Sequence, residues 1–370
     1  MALAYNEANL IGSMLSSLMR QTLFHDFSPE TSRSKASLTR QAVCNTMNIE
    51  IVVIPNGCTD NTAEIAREVL EKSVDPINKP NIHWKVCEVE QPGKSNAWNV
   101  YVHSLSATDA QYLFLMDADI EFLEPKTLEA MIAVLESQSE VWVTVDKPIK
   151  DVKLKSNKNF MEMLSLSIAG LSGNRAVEGE ATWICGQLYC ARSDILRQIW
   201  LPTALPTQDA FLYDMITTEG LTLPRNSGRV ILSPTASHVF ESYIGVRRLL
   251  RHERWLITGT AINKMLYFDL TPHARNLAET GLLIKQRNEQ NAAWLNLLVQ
   301  EMSQKSGWWL IPKRILARRF KSMSDKSLPQ LIVLLPLAIL AFMVDLILAV
   351  QANSELHRGK AMGYWGKSSH

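Results

Sequence analysis

The chain alternates short apolar runs with polar turns. Tyr112-Leu113-Phe114-Leu115-Met116 is the most apolar of these runs, and its lack of alternation reads as a strand buried on both faces. Ile49 to Ile54 makes a second apolar strand, and Trp84 to Val89 reads as a third strand. Each ends in a polar turn: Pro55 to Thr62 after the second, Gln91 to Asn99 after the third, and Asp117-Ala118-Asp119 after the first named. Helical patterning follows each turn, over about 63–72, beyond Gly93 and from near Pro125. Strand–turn–helix repetition predicts an α/β fold, with a mostly parallel sheet covered by helices on both faces.

The polar residues cluster where such a fold binds ligands, outside the carboxyl ends of the strands. Asp117 and Asp119 are hard oxygen donors suited to Mg²⁺ or Mn²⁺ shared with substrate phosphates. Capping or turn formation before the next helix is the plainer role for the same pair. Lys94 follows Gly93 at a predicted helix N-terminus, where an anion is favoured. Asp60 or Thr59 can cap the helix that follows, with Glu64 in support. His238 and His252 are either catalytic or structural. Glu178 and Glu180 are either acceptor contacts or solvated loop residues.

The C-terminal pattern differs. Leu328 to Val350 holds one ionisable residue, Asp345, and reads as a membrane-spanning helix kinked at Pro336. A buried core helix or re-entrant segment is the alternative. Just upstream, Trp308 to Lys321 mixes aromatics and cations as an interfacial amphipathic helix does. The expected organisation is a catalytic domain over 1–270, a helical linker and interfacial helix over 271–327, a transmembrane helix over 328–353 and a tail over 354–370. The basic cluster places the catalytic domain on the cytoplasmic side, although Arg358, Lys360 and Lys367 make the tail basic as well.

Composition narrows the class. Of 370 residues, 46% are hydrophobic, enough for one large core and a tail. A formal net charge of +1 gives no global sign of a nucleic-acid partner. Five scattered cysteines show no zinc spacing and suit a reducing compartment. No secretory signal is read at the N-terminus. The polar stretch from about 22 to 48 reads as an insertion after the first helix.

Taken in order, the motifs resemble those of family 2 glycosyltransferases with the GT-A fold. Ala4-Tyr5-Asn6-Glu7-Ala8 resembles the family's AYNE turn, and Asn56 to Thr62 its DGSTDNT turn. Gly93 to Asn99 resembles GKxxAxN, Asp117-Ala118-Asp119 resembles DxD, and Gly179 to Arg192 resembles the G-x-xYxxR strand pair. Thr207 to Leu212 resembles EDxxL, and Arg251 to Trp255 resembles QxxRW. Each motif is short; the ordered set over residues 1 to 260 is specific. There are departures. Only Met1 to Ala4 stand for the first strand, and Pro55 and Asn56 stand where the family often has an acid, which leaves the base preference open. Gln208 replaces the first acid of ED, and Arg251 replaces the Gln of QxxRW.

The resemblance implies an inverting transferase that moves a sugar from a nucleotide-diphosphate donor to a hydroxyl acceptor, either a lipid or a saccharide. Tyr5, Asn6, Glu7, Asn56, Asp60, Lys94 and Asp117 would contact the nucleotide-sugar, and Asp119 with Asp117 would hold Mg²⁺ or Mn²⁺. Asp209 would be the general base. Arg254 would hold the diphosphate, and Trp255 would offer a flat face beside the acceptor. Two other readings compete: a polysaccharide synthase, which needs several membrane helices for its channel, and a non-catalytic, membrane-anchored sugar-nucleotide-binding module, motivated by the acids lost at Pro55 and Gln208.

Overall fold

In the computed structural model of the chain, residues 1–25, 47–75, 77, 79–155, 177–241, 245–321, 323 and 328–359 are described. Most of the expected insertion, Cys44, Gly173, Lys360 and Lys367 lie outside them. Eight strands form one sheet: β1 (Ala2–Ala4), β2 (Ile49–Pro55), β3 (Ile82–Val86), β4 (Tyr112–Asp117), β5 (Ile120–Phe122), β6 (Val143–Lys150), β7 (Leu188–Arg192) and β8 (Val230–Phe240). Their order is β3-β2-β1-β4-β7-β6-β8-β5. The four strands β3, β2, β1 and β4 run parallel, as the alternating pattern predicts. Beyond β4 the sheet is mixed: β7 is antiparallel to both β4 and β6, β8 is parallel to β6, and β5 is antiparallel to β8.

The three-residue β1 lies between β2 and β4, so its brevity does not remove it from the centre of the sheet. Alternate residues of the central strands face opposite cores. Leu3, Val52, Ile54, Leu113 and Leu115 belong to one hydrophobic cluster, and Ala2, Ala4, Ile51, Val53 and Met116 to the other. On the second face pack α1 (Ile11–Met19), α2 (Thr62–Ser73) and, after Lys94–Val100 (α3), α4 (Thr127–Ser137). The first face carries α3 and, after the short α5 (Ser193–Leu196), α6 (Gln208–Thr217) and α7 (Val246–Leu270).

Four further helices follow: α8 (Leu277–Gln290), α9 (Trp294–Lys305), α10 (Lys313–Lys321) and α11 (Leu328–His357). They do not form a separate unit. Ile284, Leu295, Val299, Ile315, Leu348, Ala349, Ala352 and Leu356 share the cluster that contains Leu3 and Phe211. Glycine makes one close crossing possible: a Cβ on Gly281 would lie 2.0 Å from the Gln198 carbonyl oxygen. The apolar C-terminal helix is seven residues longer than the apolar run ending at Val350, and its last three turns are domain core. Asp345 has a local explanation. Its side chain is 2% exposed, and its carboxylate lies between the guanidinium groups of Arg318 and Arg319.

Candidate active site

Three turns at strand ends are tied together by side chain–backbone bonds. Asn6 takes a positive φ of 54°, and its Oδ1 accepts from the Thr59 amide at 2.7 Å. The Glu7 amide donates to Thr62 Oγ1 at 2.8 Å, and Asp60 Oδ2 accepts from the Ala8 amide at 3.2 Å. The turns after β1 and β2 are therefore one structure. Asn56 is fully buried and joins it to the turn after β3. Its Nδ2 donates to Val89 O and Gln91 O, and its Oδ1 accepts from the Gly93 amide at 2.7 Å. Gly57 fits at φ 67°, where a Cβ would sit 2.9 Å from Pro92 Cβ. Tyr5 is half-buried at the start of the first turn.

Lys94 begins α3 and reaches the end of β4. Its Nζ lies 2.6 Å from Asp117 Oδ1 and donates to Asp117 Oδ2 at 2.9 Å and to Gly186 O at 3.1 Å. Burial works against the Lys94 ammonium, but the surrounding carboxylates, Asp117 foremost and then Asp209 and Asp119, together outweigh it and hold it above the usual lysine value. Burial pushes the Asp117 carboxyl up to about 6 against the pull of Lys94, so near neutrality the pair is ammonium and carboxylate. The rest of the GKxxAxN segment is scaffold. Ser95 Oγ donates to Leu205 O at 3.0 Å, and Asn99 exchanges two hydrogen bonds with the backbone of Leu201. These bonds fix the loop that leads to α6, whose second residue is Asp209.

Asp209 is half-buried, with Gly186 packed against it. Lys94, Trp98, Asp117, Gly186, Tyr189 and Asp209 line one small cavity beneath the strand ends. Helix α7 holds Asp209 from behind. Gly259 lies against Thr207, where a Cβ would approach Thr207 Cγ2 to 2.2 Å, and Asn263 Nδ2 donates to Thr207 Oγ1 at 3.1 Å. The first half of α7 also carries His252 to Trp255. The His252 and Trp255 rings stack with centroids 5.8 Å apart. Burial lowers the His252 imidazole below its usual value, although the Glu253 and Asp209 carboxylates pull the other way. Arg254 bridges to Glu355 of α11 at 3.3 Å and is about one-third exposed.

The carboxylates gather around the turn between β4 and β5. Glu7 is 6% exposed, and burial, with Asp119, Asp117, Asp60 and Glu241 nearby, pushes its carboxyl up to about 8. Burial pushes the Asp60 carboxyl up as well, but bonds from Thr62 and Ala8 outweigh it and hold Asp60 below its ordinary value. Asp119 is half-buried in the turn beside Asp117. Among the described residues no group of three or more His, Cys, Asp or Glu is arranged to enclose a metal ion. Two adjacent oxygen donors with negative charge in excess of Lys94 fit a hard divalent ion whose remaining ligands come from phosphate and water.

Sequence reasoning named His238 as either catalytic or structural and missed its partners, Asp146 and Gln187. His238 is fully buried on β8, with its Nδ1 2.6 Å from Asp146 Oδ2 and its Nε2 3.4 Å from Gln187 Oε1. Gln187 O accepts from the Asp117 amide at 2.9 Å, which sets the Cys185–Gln187 loop across the end of β4. The available signal was Asp146, a lone acid at the end of the apolar half of β6. The Arg of the G-x-xYxxR match, Arg192, instead donates to the carbonyls of Val141, Leu135 and Gln138 around the end of α4. Glu180 hydrogen-bonds through its backbone with Val177 and Leu232, and Glu178 Oε1 lies 3.8 Å from Lys147.

Among solved structures, residues 1–349 of TarS from S. aureus align over 97% of this chain and 90% of that one, at 17% identity and a TM-score of 0.42. Glucosyl-3-phosphoglycerate synthase from Mycobacterium tuberculosis, solved with Mn²⁺, UDP-glucose and phosphoglyceric acid, aligns over 71% and 77% at 14% identity and a TM-score of 0.40. A further mycobacterial protein aligns over 71% and 72% at 15% identity and a TM-score of 0.40. Against curated protein sequences nothing matches. The sequence profile of glycosyl transferase family 2 matches residues 3–200, more than half of the chain and everything from β1 to α5, and the chain belongs to that family.

Proposed function

We propose that the chain is an inverting glycosyltransferase that moves a sugar from a nucleotide-diphosphate donor to a hydroxyl of a membrane lipid, from the cytoplasmic face of a membrane. The observation that carries this reading is the cavity where Lys94, Asp117, Gly186 and Asp209 meet. A carboxylate anchored for proton transfer there faces a cation–carboxylate pair suited to a phosphorylated donor.

The residues divide the work by position. The stitched turns at Tyr5, Asn6, Glu7, Asn56 and Asp60 form the floor under the nucleotide. Asn56 serves it by holding three turns in register, since its amide is already bonded to backbone. Lys94 keeps Asp117 ionised and oriented toward the donor. Asp117 and Asp119 would hold Mg²⁺ or Mn²⁺, which when bound offsets the charge growing on the diphosphate leaving group. Asp209 takes the proton from the acceptor hydroxyl as that oxygen attacks the anomeric carbon from the face opposite the leaving group, which inverts the configuration. Arg254 exchanges Glu355 for the diphosphate, and Trp255 flanks the acceptor. The lipid is preferred to a free saccharide because α11 presents an apolar face on the same body as the site.

The test is product analysis with membrane lipids and a panel of activated sugars, with the anomer of the product determined. Transfer to lipid with inverted configuration, and a loss of roughly a hundredfold or more in turnover for Asp209→Asn with donor binding kept, is the expected result. Retained configuration, or normal turnover in Asp209→Asn, overturns it.

A further inference from the structure

The faces of α11 differ. Leu348, Ala349, Ala352 and Leu356 are 5% exposed or less and sit in the domain core. Asn353 accepts from the Leu310 amide at 2.8 Å and donates to Trp308 O at 2.7 Å. The last turns therefore cannot leave the domain without opening its core. Outward, Leu337, Leu340, Met343 and Ile347 are 53, 63, 48 and 55% exposed and follow helical spacing along one stripe. From Leu335 to Val350 every exposed residue of the helix is apolar; from Gln351 onward the exposed residues are polar. A contiguous apolar stripe of that length is unusual on a surface meeting only water.

Charge identifies the occupant. Helix α10 packs along α11 and carries five cations and no acid in nine residues. Lys313, Arg314 and Lys321 are exposed, and Phe320, 41% exposed, sits against Phe342 with ring centroids 5.4 Å apart. Arg247 and Arg251 are exposed at the start of α7, which also packs on α11. The one acid of the apolar stretch, Asp345, is covered by Arg318 and Arg319, so the outward face presents no charge. An apolar stripe rimmed by cations matches the headgroup–acyl boundary of an anionic leaflet.

We propose that α11 docks into a single leaflet of an anionic bilayer by this stripe without crossing it, leaving α10, the catalytic site and the C-terminal residues on one side. The helix ahead of its core-embedded turns, residues 328–344, is 17 residues and about 26 Å long against a hydrocarbon core of roughly 30 Å, and Ala338 and Val344 within it already pack on the protein. Its C-terminal continuation is fixed in the domain, and α10 is tied to the middle of α11 through Asp345, so both approaches to the segment come from the same side. The mode of attachment rests on the membrane reading above, and the test separates the two.

The full chain, with an epitope added after His370, is bound to sealed vesicles of phosphatidylcholine with or without phosphatidylglycerol and floated. Protease is then added outside. Flotation with the phosphatidylglycerol vesicles, weakened by salt, with epitope and catalytic domain both cleaved, is expected. In Leu340→Glu/Ile347→Glu, both positions being exposed, the thermal transition should stay in place while vesicle binding falls roughly tenfold or more. An epitope protected inside the vesicle overturns the single-leaflet mode and leaves membrane attachment standing. No flotation with either vesicle, or undiminished binding in the double variant, overturns the docking face itself.

Discussion

The strand-end turns and the C-terminal helices both carry charged side chains, and they satisfy them differently. At the turns, carboxylates and amides are held largely by backbone: Asp60 by the Ala8 and Thr62 amides, Asn56 by Val89, Gln91 and Gly93, and Asn6 by Thr59. Asp117 has the Lys94 ammonium, but Asp119 and Glu7 stand in an excess of negative charge. At the C-terminal helices charge answers charge: Asp345 with Arg318 and Arg319, Glu253 with Arg318, Arg254 with Glu355. The first region is built around an imbalance that a cationic ligand would relieve, as a binding site must be. The second is balanced, as a structural seam beside an apolar face must be.

The sharpest break in this contrast is at Asp119. Asp119→Ala removes one carboxylate of this imbalance and should abolish transfer, as chelation of divalent ions should, while the thermal transition stays near that of the parent. Full activity under either condition would remove the metal role. On the balanced side, Arg318→Met with Arg319→Met leaves Asp345 buried without a partner, which costs about 3–5 kcal/mol. Chemical denaturation should show that loss, and Asp345→Asn added to the pair should recover much of it. If the pair of Arg substitutions leaves stability unchanged, the seam is not a structural one.

Gly259→Ala probes the joint between the two regions. A methyl group there meets Thr207, and overpacking costs about 1–3 kcal/mol, offset by the better helix propensity of alanine, about 1 kcal/mol. The useful readout is kcat, which should fall more than donor affinity because Asp209 moves with Thr207; an equal fall in both would mean general loosening. The smallest expected effect is at Glu7. Its carboxyl is raised from an ordinary value of 4.5 to about 8, first by burial and then by the neighbouring carboxylates. The folded state therefore binds a proton that the unfolded state releases above 4.5. The resulting stability is fully present below that pH and is lost as pH rises through about 8. Glu7→Gln should flatten the decline in thermal stability between these limits; an unchanged slope would place its origin elsewhere.

β4 and most of β2 were legible as apolar runs closed by polar turns, and β3, which carries His83 and Lys85, by the Gly93-Lys94 turn and helix after it; the structure places all three within a few residues of the expected positions. The residues that meet in the cavity lay in the motifs at Lys94, Asp117 and Asp209. Less legible was what each motif residue does. Asn56, Asn99 and Arg192 have the chemistry of ligand contacts, yet their polar atoms are bonded to backbone segments that only the folded chain brings near. His238 and Asp146 are 92 residues apart and meet only because β6 and β8 are neighbours.

The sequence by itself determined the alternation of strand and helix, the position of the polar turns and the apolar length of the last helix, because each is written in local spacing and residue type. Tertiary structure decided the rest. It set the antiparallel return of β7, the union of three turns through Asn6, Asn56 and Asp60, and the burial of Asp345 against two arginines. It also made one face of α11 core and left the other apolar face outward. Hydrophobicity along a chain shows how much surface must leave water, but which neighbour removes it, protein or lipid, depends on residues distant in sequence and close in space.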